Sequence, residues 1–369
     1  MKKKMSSTAI VFKVGISVAF FAVLLSFVQG NELLAMLDHI DWFYFTLSFL
    51  LVPVMLSTSC LKWKSVLDVK EQKIPFLSLI RIYLIGYFFS NLLPSNVGGD
   101  VVRSFYAGKI IENQAYSAVS VFVERFTGIL FLIVLVILAP LLDLQLYRSP
   151  YIYMPSFAAF VLLCVIFWVW TVREPLVLPD RVMSFLLEKI KNFADLSGIS
   201  LFQESAEFLV RLYEGLLRRL QKFHDELNTA IRAIRRDRIL FFKIIVLTVF
   251  FYFLTWVNVY ISFRAFNVRP EFWAVSALVP TILFVAHLPV TVLGNLGFFE
   301  SVFVFYFLQI DIPPAESLAM GLLLRVKMLS LGIVGYLVYL SYKYFRSSEL
   351  EQLEQFARVK KEKETEESL

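Results

Sequence analysis

The sequence predicts an all-α integral membrane protein with six full spans plus two re-entrant (or broken-helix) hairpins arranged as an inverted repeat. Three observations predict it. The 369 residues are 58% hydrophobic and only 18% charged, whereas soluble domains are about half apolar and a quarter charged. Uncharged runs such as Trp42 to Leu61, Pro150 to Val172 and Ile244 to Phe263 have the roughly 20 apolar residues that carry a helix across a ~30 Å hydrocarbon core. Two further apolar stretches are interrupted by proline and glycine. Helices are implied throughout, because open strand edges cannot satisfy their backbone groups in lipid.

Lys2 to Lys4 before the apolar run Ile10 to Val28 resemble the start of a secretory signal. The run is long and no small-x-small cleavage site follows it, so it is read as a retained first helix. Lys and Arg in short loops mark the cytoplasmic side, which places the N-terminus inside. The loop Asn31 to Asp41 has acidic residues and no Lys or Arg, so it lies outside. Trp42 to Leu61 returns the chain to Lys62, Lys64, Lys70 and Lys73, which are expected in a cytoplasmic loop. Arg103 and Lys109 follow the next apolar stretch so soon that a full crossing would leave them outside. A hairpin over 76–110 that enters and returns fits better.

Ala115 to Leu142 crosses outward and Pro150 to Val172 crosses back to a basic-rich cytoplasmic loop, 173–238. Within it Leu209, Leu212, Leu216, Leu220, Phe223, Leu227, Ile231 and Ile234 recur three and four apart, the pattern of an amphipathic helix. Its plain reading is a helix packed on the membrane face of the protein; a partner-binding or lipid-sensing role is the sharper one. Ile244 to Phe263 crosses outward again. The last span, Ala315 to Tyr342, must end inside beside Lys343 and Arg346. The segment 272–310 therefore enters and leaves from the outer face, broken by Pro280, Pro289, Gly294, Asn295 and Gly297. The membrane domain covers 1–345, and the charged cytoplasmic tail 346–369 is expected to be a frayed helix or disordered. Cys60 and Cys164 lie in apolar spans, where they suggest neither a disulfide framework nor a metal site.

The two hairpins share an order of residues: Leu-Pro, glycines, an acidic residue, then a spanning helix with an arginine. The first has Leu93, Pro94, Gly98, Gly99, Asp100 and Arg125; the second has Leu288, Pro289, Gly294, Gly297, Glu300 and Arg325. The acidic residue precedes the arginine by 25 positions in both copies, 100 to 125 and 300 to 325. At about 1.5 Å per residue, ten residues into helices that open at Ala115 and Ala315, the arginines sit roughly 15 Å deep. Paired interrupted segments of opposite orientation point to a transport site at a repeat interface, because helix ends in mid-membrane are tolerated only beside a polar cavity.

Charges at that depth cost about 2.5 to 3.5 kcal/mol each on insertion scales. Arg103, Glu124, Arg125, Arg325 and Lys327 are all so placed. Glu124 and Arg125 are adjacent and point about 100° apart, so Asp100 is the expected partner of Arg125 and Glu300 that of Arg325. Such pairs also serve to fix helices together. An excess of cation over carboxylate suits a phosphate-bearing head group, which arginine grips with a planar fork of donors. His287 is either a proton carrier or an interhelix hydrogen-bonder. Asn91 and Asn295 flank the breaks, where they can satisfy loose backbone or meet cargo.

These residues resemble the membrane region of the lysylphosphatidylglycerol synthases, a family that also includes stand-alone proteins of flippase type. The resemblance rests on Leu92-Leu93-Pro94 through Gly98-Gly99-Asp100 to Arg103, on Leu288-Pro289 through Gly294 and Gly297 to Glu300, and on Arg325. It covers Ile10 to Tyr342. Where the family shows Gly-Gly-x-Gly-x-Arg-Glu, this chain reads Gly294-Asn295-Leu296-Gly297-Phe298-Phe299-Glu300, with Phe299 in place of the arginine. No soluble transferase domain follows the membrane part, so aminoacyl transfer is not expected.

The resemblance implies translocation of an anionic phospholipid, a polyprenyl phosphate or a related lipid between leaflets of a prokaryotic cytoplasmic membrane, with both termini cytoplasmic. The residues imply an anion transport site by a separate route. Arg103, Arg125, Arg325, Lys327, Asn91 and His287 are the candidate substrate-binding residues. Asp100, Glu124 and Glu300 support them, and Pro94, Gly98, Gly99, Pro289, Gly294 and Gly297 break the helices. No cofactor, metal or nucleic acid is expected, and a homodimer is compatible with this reading. No Gly-x4-Gly-Lys-Ser/Thr phosphate loop occurs, so ATP is not the expected energy source. The alternatives are a membrane glycosyl- or phosphotransferase acting on a lipid-linked substrate and a secondary transporter of a small anionic solute.

Overall fold

The computed structural model describes residues 38–69, 74–92, 97–142, 149–171, 221–288 and 297–366, together with Leu146 and Tyr213. The described residues form helices and connecting turns. In chain order these are α1 (Trp42–Leu67), α2 (Phe76–Leu92), α3 (Val97–Ile110), α4 (Gln114–Leu138), α5 (Pro150–Thr171), α6 (221–236), α7 (Arg238–Arg264), α8 (Phe272–Ala286), α9 (Phe298–Phe307) and α10 (Pro314–Glu366). Five are long and apolar enough to cross a membrane: Trp42–Leu67, Gln114–Leu142, Pro150–Trp168, Arg238–Arg264 and Pro314–Ser341. Stretches Phe76–Asn91, Phe272–Ala286 and Phe298–Ile310 are shorter apolar helices. The expected span Ile10 to Val28 lies outside the described residues, as do Pro94, Pro289, Gly294, Asn295 and most of the loop 173–238.

Polar caps start the long helices where the apolar runs begin. Asp41 accepts from the Phe43 and Tyr44 amides at the head of α1. Asn113 accepts from Tyr116 N–H on α4, and Asp237 from Ile239 and Leu240 on α7. Each satisfies amides that the helix itself leaves without acceptors.

The packing has an order that sequence spacing alone does not give. Helix α1 lies on α7, and they run antiparallel, for the start of α1 meets the end of α7: Asp41 N–H donates to Ala265 O at 2.9 Å and Arg264 lies over the Tyr44 ring at 4.8 Å. Helix α2 packs on α3 and on α10, and α3 on α4; α8 packs on α9 and on α4, and α9 on α10. Contacts of α1 with α2 and α4 are matched by those of α7 with α8 and α10. Exchanging α1, α2, α3 and α4 for α7, α8, α9 and α10 maps each of these pairings onto another of them. The first limb of each hairpin thus leans on the other half's span, and the second limb on its own.

Close approach of α2 to α10 depends on small residues, as membrane helix packing generally does. A Cβ at Gly335 would collide with the Leu84 carbonyl of α2, and one at Gly332 with the Asn91 amide. Helix α6 docks by its apolar side: Phe223, Leu227, Ala230 and Ile234 join the core formed by α1 to α4, and Asn113 donates to Glu226 at 2.9 Å. The plain reading of the amphipathic segment describes it.

Three expectations are corrected here. Lys62 is not a loop residue: α1 runs on to Leu67 and buries it at 5% exposure. The lysine ends the uncharged run but not the helix, because its ammonium finds a carboxylate within the protein. Pro280 does not break the second hairpin, for it sits inside an unbroken α8. Gly98 and Gly99 belong to the first turn of α3 rather than to an interruption. Gly99 is there because a Cβ would strike Ser90 and the Gly86 carbonyl of α2. The tail is helical over 346–366, where α10 continues through it to Glu366.

Candidate functional site

Three helices bring their charges to one place. Arg103 on α3 is 1% exposed and donates through Nη2 to Asp100 Oδ1 at 2.7 Å and to Glu124 Oε2 on α4 at 3.2 Å. Lys62 Nζ on α1 stands 3.7 Å from the other Glu124 oxygen. Arg125 reaches back to Asp100 Oδ1, with Nη2 at 3.1 Å and Nε at 3.2 Å. Its contact with Glu124 is marginal at 3.9 Å, as expected of adjacent residues on a helix.

Helix α2 contributes the wall of this network. The Arg103 guanidinium lies over the Tyr83 ring at 4.1 Å and the Trp63 ring of α1 at 5.1 Å. Trp63 is held in turn by donating to Ser120 on α4 at 3.0 Å. Gly86 leaves room for the arginine stem, since a Cβ there would lie 2.6 Å from Arg103 Cγ. Arg103 Nε and Nη1 are buried without a hydrogen-bond partner among the described residues. Aromatic faces offset the burial of such a cation in part.

Count the charges: Lys62, Arg103 and Arg125 against Asp100 and Glu124, three positive and two negative, leaves one positive in excess. Exposure is uneven as well. The side chains of Lys62, Arg103 and Glu124 are all under 8% exposed, whereas that of Arg125 is 47% exposed. The network therefore presents its surplus charge through one side chain.

The second copy is built more simply. Glu300, fully buried on α9, accepts from Arg325 Nε at 2.7 Å and from Gly297 N–H at 2.8 Å. Gly297 has φ of 82°, a left-handed conformation that glycine adopts without steric cost. It starts α9, and Glu300 caps that start. The Arg325 guanidinium also lies 5.1 Å from the Phe299 ring. Both ion pairs expected at 25-residue spacing are therefore present, one half-exposed and one buried.

Lys327 does not join Arg325. Two residues on, it projects from a different face of α10 and donates to Asn258 Oδ1 at 2.9 Å and Ser262 Oγ at 2.8 Å on α7. Asn91 donates to the Met328 carbonyl of α10 at 3.0 Å, joining α2 to the opposite half. His287 Nδ1–H donates to the Leu283 carbonyl of its own helix, so the bond is not interhelical. Sequence reasoning missed Lys62, Trp63, Tyr83, Asn258 and Ser262. The first could have been found from the apolar, helix-compatible residues that continue past it, Trp63, Val66 and Leu67.

Beside the first network lies a groove of about 420 Å³ between α4 and α7, lined by Phe131, Leu135, Val249, Phe253 and other apolar side chains. Tyr252 closes its inner wall and donates to the Gly128 carbonyl at 2.9 Å. That carbonyl belongs to the turn after Glu124 and Arg125.

Residues 10–335 match the family model described as the lysylphosphatidylglycerol synthase TM region. Comparison with curated proteins and with solved structures found no match in either.

Proposed function

The chain belongs to the lysylphosphatidylglycerol synthase membrane-region family, and from that premise we propose that it translocates an anionic lipid, or a lipid-linked phosphate, between the leaflets of a prokaryotic cytoplasmic membrane. The observation that carries the reading is the surplus positive charge of the first network, offered through half-exposed Arg125. Burial of that many cations is costly, and a phosphate head group is the ligand that a guanidinium fork recognises. Asp100 orients Arg125, while Glu124 is engaged by Arg103 and Lys62.

The antiparallel pairing of α1 with α7 and the exchangeable packing of the halves support an inverted repeat, with the hairpins entering from opposite faces and both termini in the cytoplasm. Transport sites form at such interfaces. The apolar groove beside Tyr252 favours a lipid over a small solute, since it gives a hydrocarbon chain a place next to the charges. Direction comes from a gradient, from a metabolic sink, or, in a scramblase, from neither. The test is flip of a fluorescent phosphatidylglycerol in proteoliposomes. Wild-type protein accelerates it and Arg125→Ala does not. Equal rates for Arg125→Ala and wild type, or no acceleration over empty vesicles, overturn the reading.

A further inference from the structure

The two halves align at an offset of 200, which superposes Asp100 on Glu300 and Arg125 on Arg325. The same offset carries Lys62 of α1 onto Ser262 of α7 and Glu124 of α4 onto Leu324 of α10, and the packing of α1 on α4 onto that of α7 on α10. Both interfaces hold one buried ammonium. In the first half it extends from α1 and meets the Glu124 carboxylate at 3.7 Å. In the second it extends from α10 as Lys327, one helical turn after Leu324 and on the same side of the helix.

Lys327 is 3% exposed and has no carboxylate partner among the described residues. Ser262 donates its own hydroxyl hydrogen to the Asn258 carbonyl, so the Ser262 oxygen can only accept from Lys327. Asn258 Oδ1 accepts a second N–H, and the Phe49 ring of α1 lies 5.9 Å from Nζ. Among the described residues the third N–H has no polar acceptor. An ammonium in the membrane interior with neutral neighbours only is strongly disfavoured, and is relieved either by losing its proton or by an anion that joins it.

We propose that Lys327, held in place by Asn258 and Ser262, forms a second anion site, which takes the phosphate of the lipid head group in the second half of the protein. There the cargo supplies the negative charge that Glu124 supplies to Lys62 in the first half. The assignment rests on the transport reading and names where the phosphate goes after Arg125. It also states why position 324 is leucine: a carboxylate there would neutralise the site permanently.

Two measurements test it on the full chain. In detergent, dioctanoyl phosphatidic acid raises the thermal unfolding temperature of wild type, and dioctanoylglycerol, which lacks the phosphate, does not. Lys327→Gln and Leu324→Glu each lose at least half of that shift, with Lys327→Gln serving alone if Leu324→Glu fails to fold. An undiminished shift in Lys327→Gln overturns the site, and an equal shift with inorganic phosphate alone overturns the lipid as its source. In proteoliposomes, Lys327→Gln slows phosphatidylglycerol flip by about ten-fold or more, the scale of one charge-assisted hydrogen bond. Wild-type flip in Lys327→Gln alongside loss in Arg125→Ala overturns this inference and leaves the transport reading standing. No flip by wild type overturns the transport reading, and the phosphatidic acid shift then decides the site independently.

Discussion

Glu300 does two things that can be separated by substitution. One carboxylate oxygen accepts from Arg325 Nε at 2.7 Å and the other from Gly297 N–H at 2.8 Å. Glu300→Gln keeps a carbonyl oxygen for the glycine amide and removes the charge facing Arg325. Arg325→Met keeps the cap and leaves a fully buried carboxylate without its guanidinium. Each single change breaks a buried ion pair, at about 3–5 kcal/mol. Glu300→Ala adds the lost bond to Gly297, about 1–2 kcal/mol more. The double variant Glu300→Gln, Arg325→Met removes both charges, so its cost falls below that of either single change. Thermal unfolding in detergent, followed by the monodisperse fraction on size exclusion, gives the four corners of this cycle. Additive effects of the two single changes, or single costs below about 1 kcal/mol, would refute the pairing as a structural lock.

Three further outcomes follow from the packing. Lys62→Met lowers stability by about 1–3 kcal/mol, because Glu124 keeps Arg103 but loses its second cation; a loss no larger than that of exposed Lys243→Met in the same unfolding assay would return Lys62 to the surface. Gly335→Ala destabilises by about 1–3 kcal/mol by forcing α10 off the Leu84 carbonyl of α2, and a variant of wild-type stability would contradict that contact. Asn91→Leu costs about 1 kcal/mol through its bond to Met328, while flip per folded molecule stays within about two-fold of wild type. A larger fall in flip assigns Asn91 to the cargo path.

Much of this was legible in the amino-acid order, and the reason is chemical identity. Asp100 with Arg125 and Glu300 with Arg325 repeat the same charge types at the same spacing, so both pairs could be read before any coordinates and both are present. The spans were legible because uncharged runs of bilayer length are rare in water-soluble chains. Lys62 was misread for the complementary reason. A lysine after an apolar run is the ordinary mark of a membrane surface, and only a carboxylate 62 positions away, Glu124, keeps this one buried. The cross-half packing of α2 on α10 was illegible, since it rests on glycines such as Gly335 that meet backbone rather than on any complementary motif.

What repeats between the halves and what differs carry separate meanings. Repeated positions hold the hairpins: an acidic residue at the head of α3 or α9, tied to an arginine in the following span. Had the halves been alike in full, their charges would balance alike, and an anion would gain equally from either. They are not. The first half gathers five charges and shows its surplus at Arg125, with a side chain 47% exposed. In the second half Glu300 and Arg325 balance, and Lys327 is set apart among neutral groups on α7. On the proposed transport reading, cargo moving between two such places would meet a positive charge in each, but only in the second would it displace no carboxylate. Since a ligand shifts a two-state equilibrium only by its differential affinity for the states, that difference between Lys62 with Glu124 and Lys327 with Leu324 would let a bound phosphate favour one arrangement of the halves over the other.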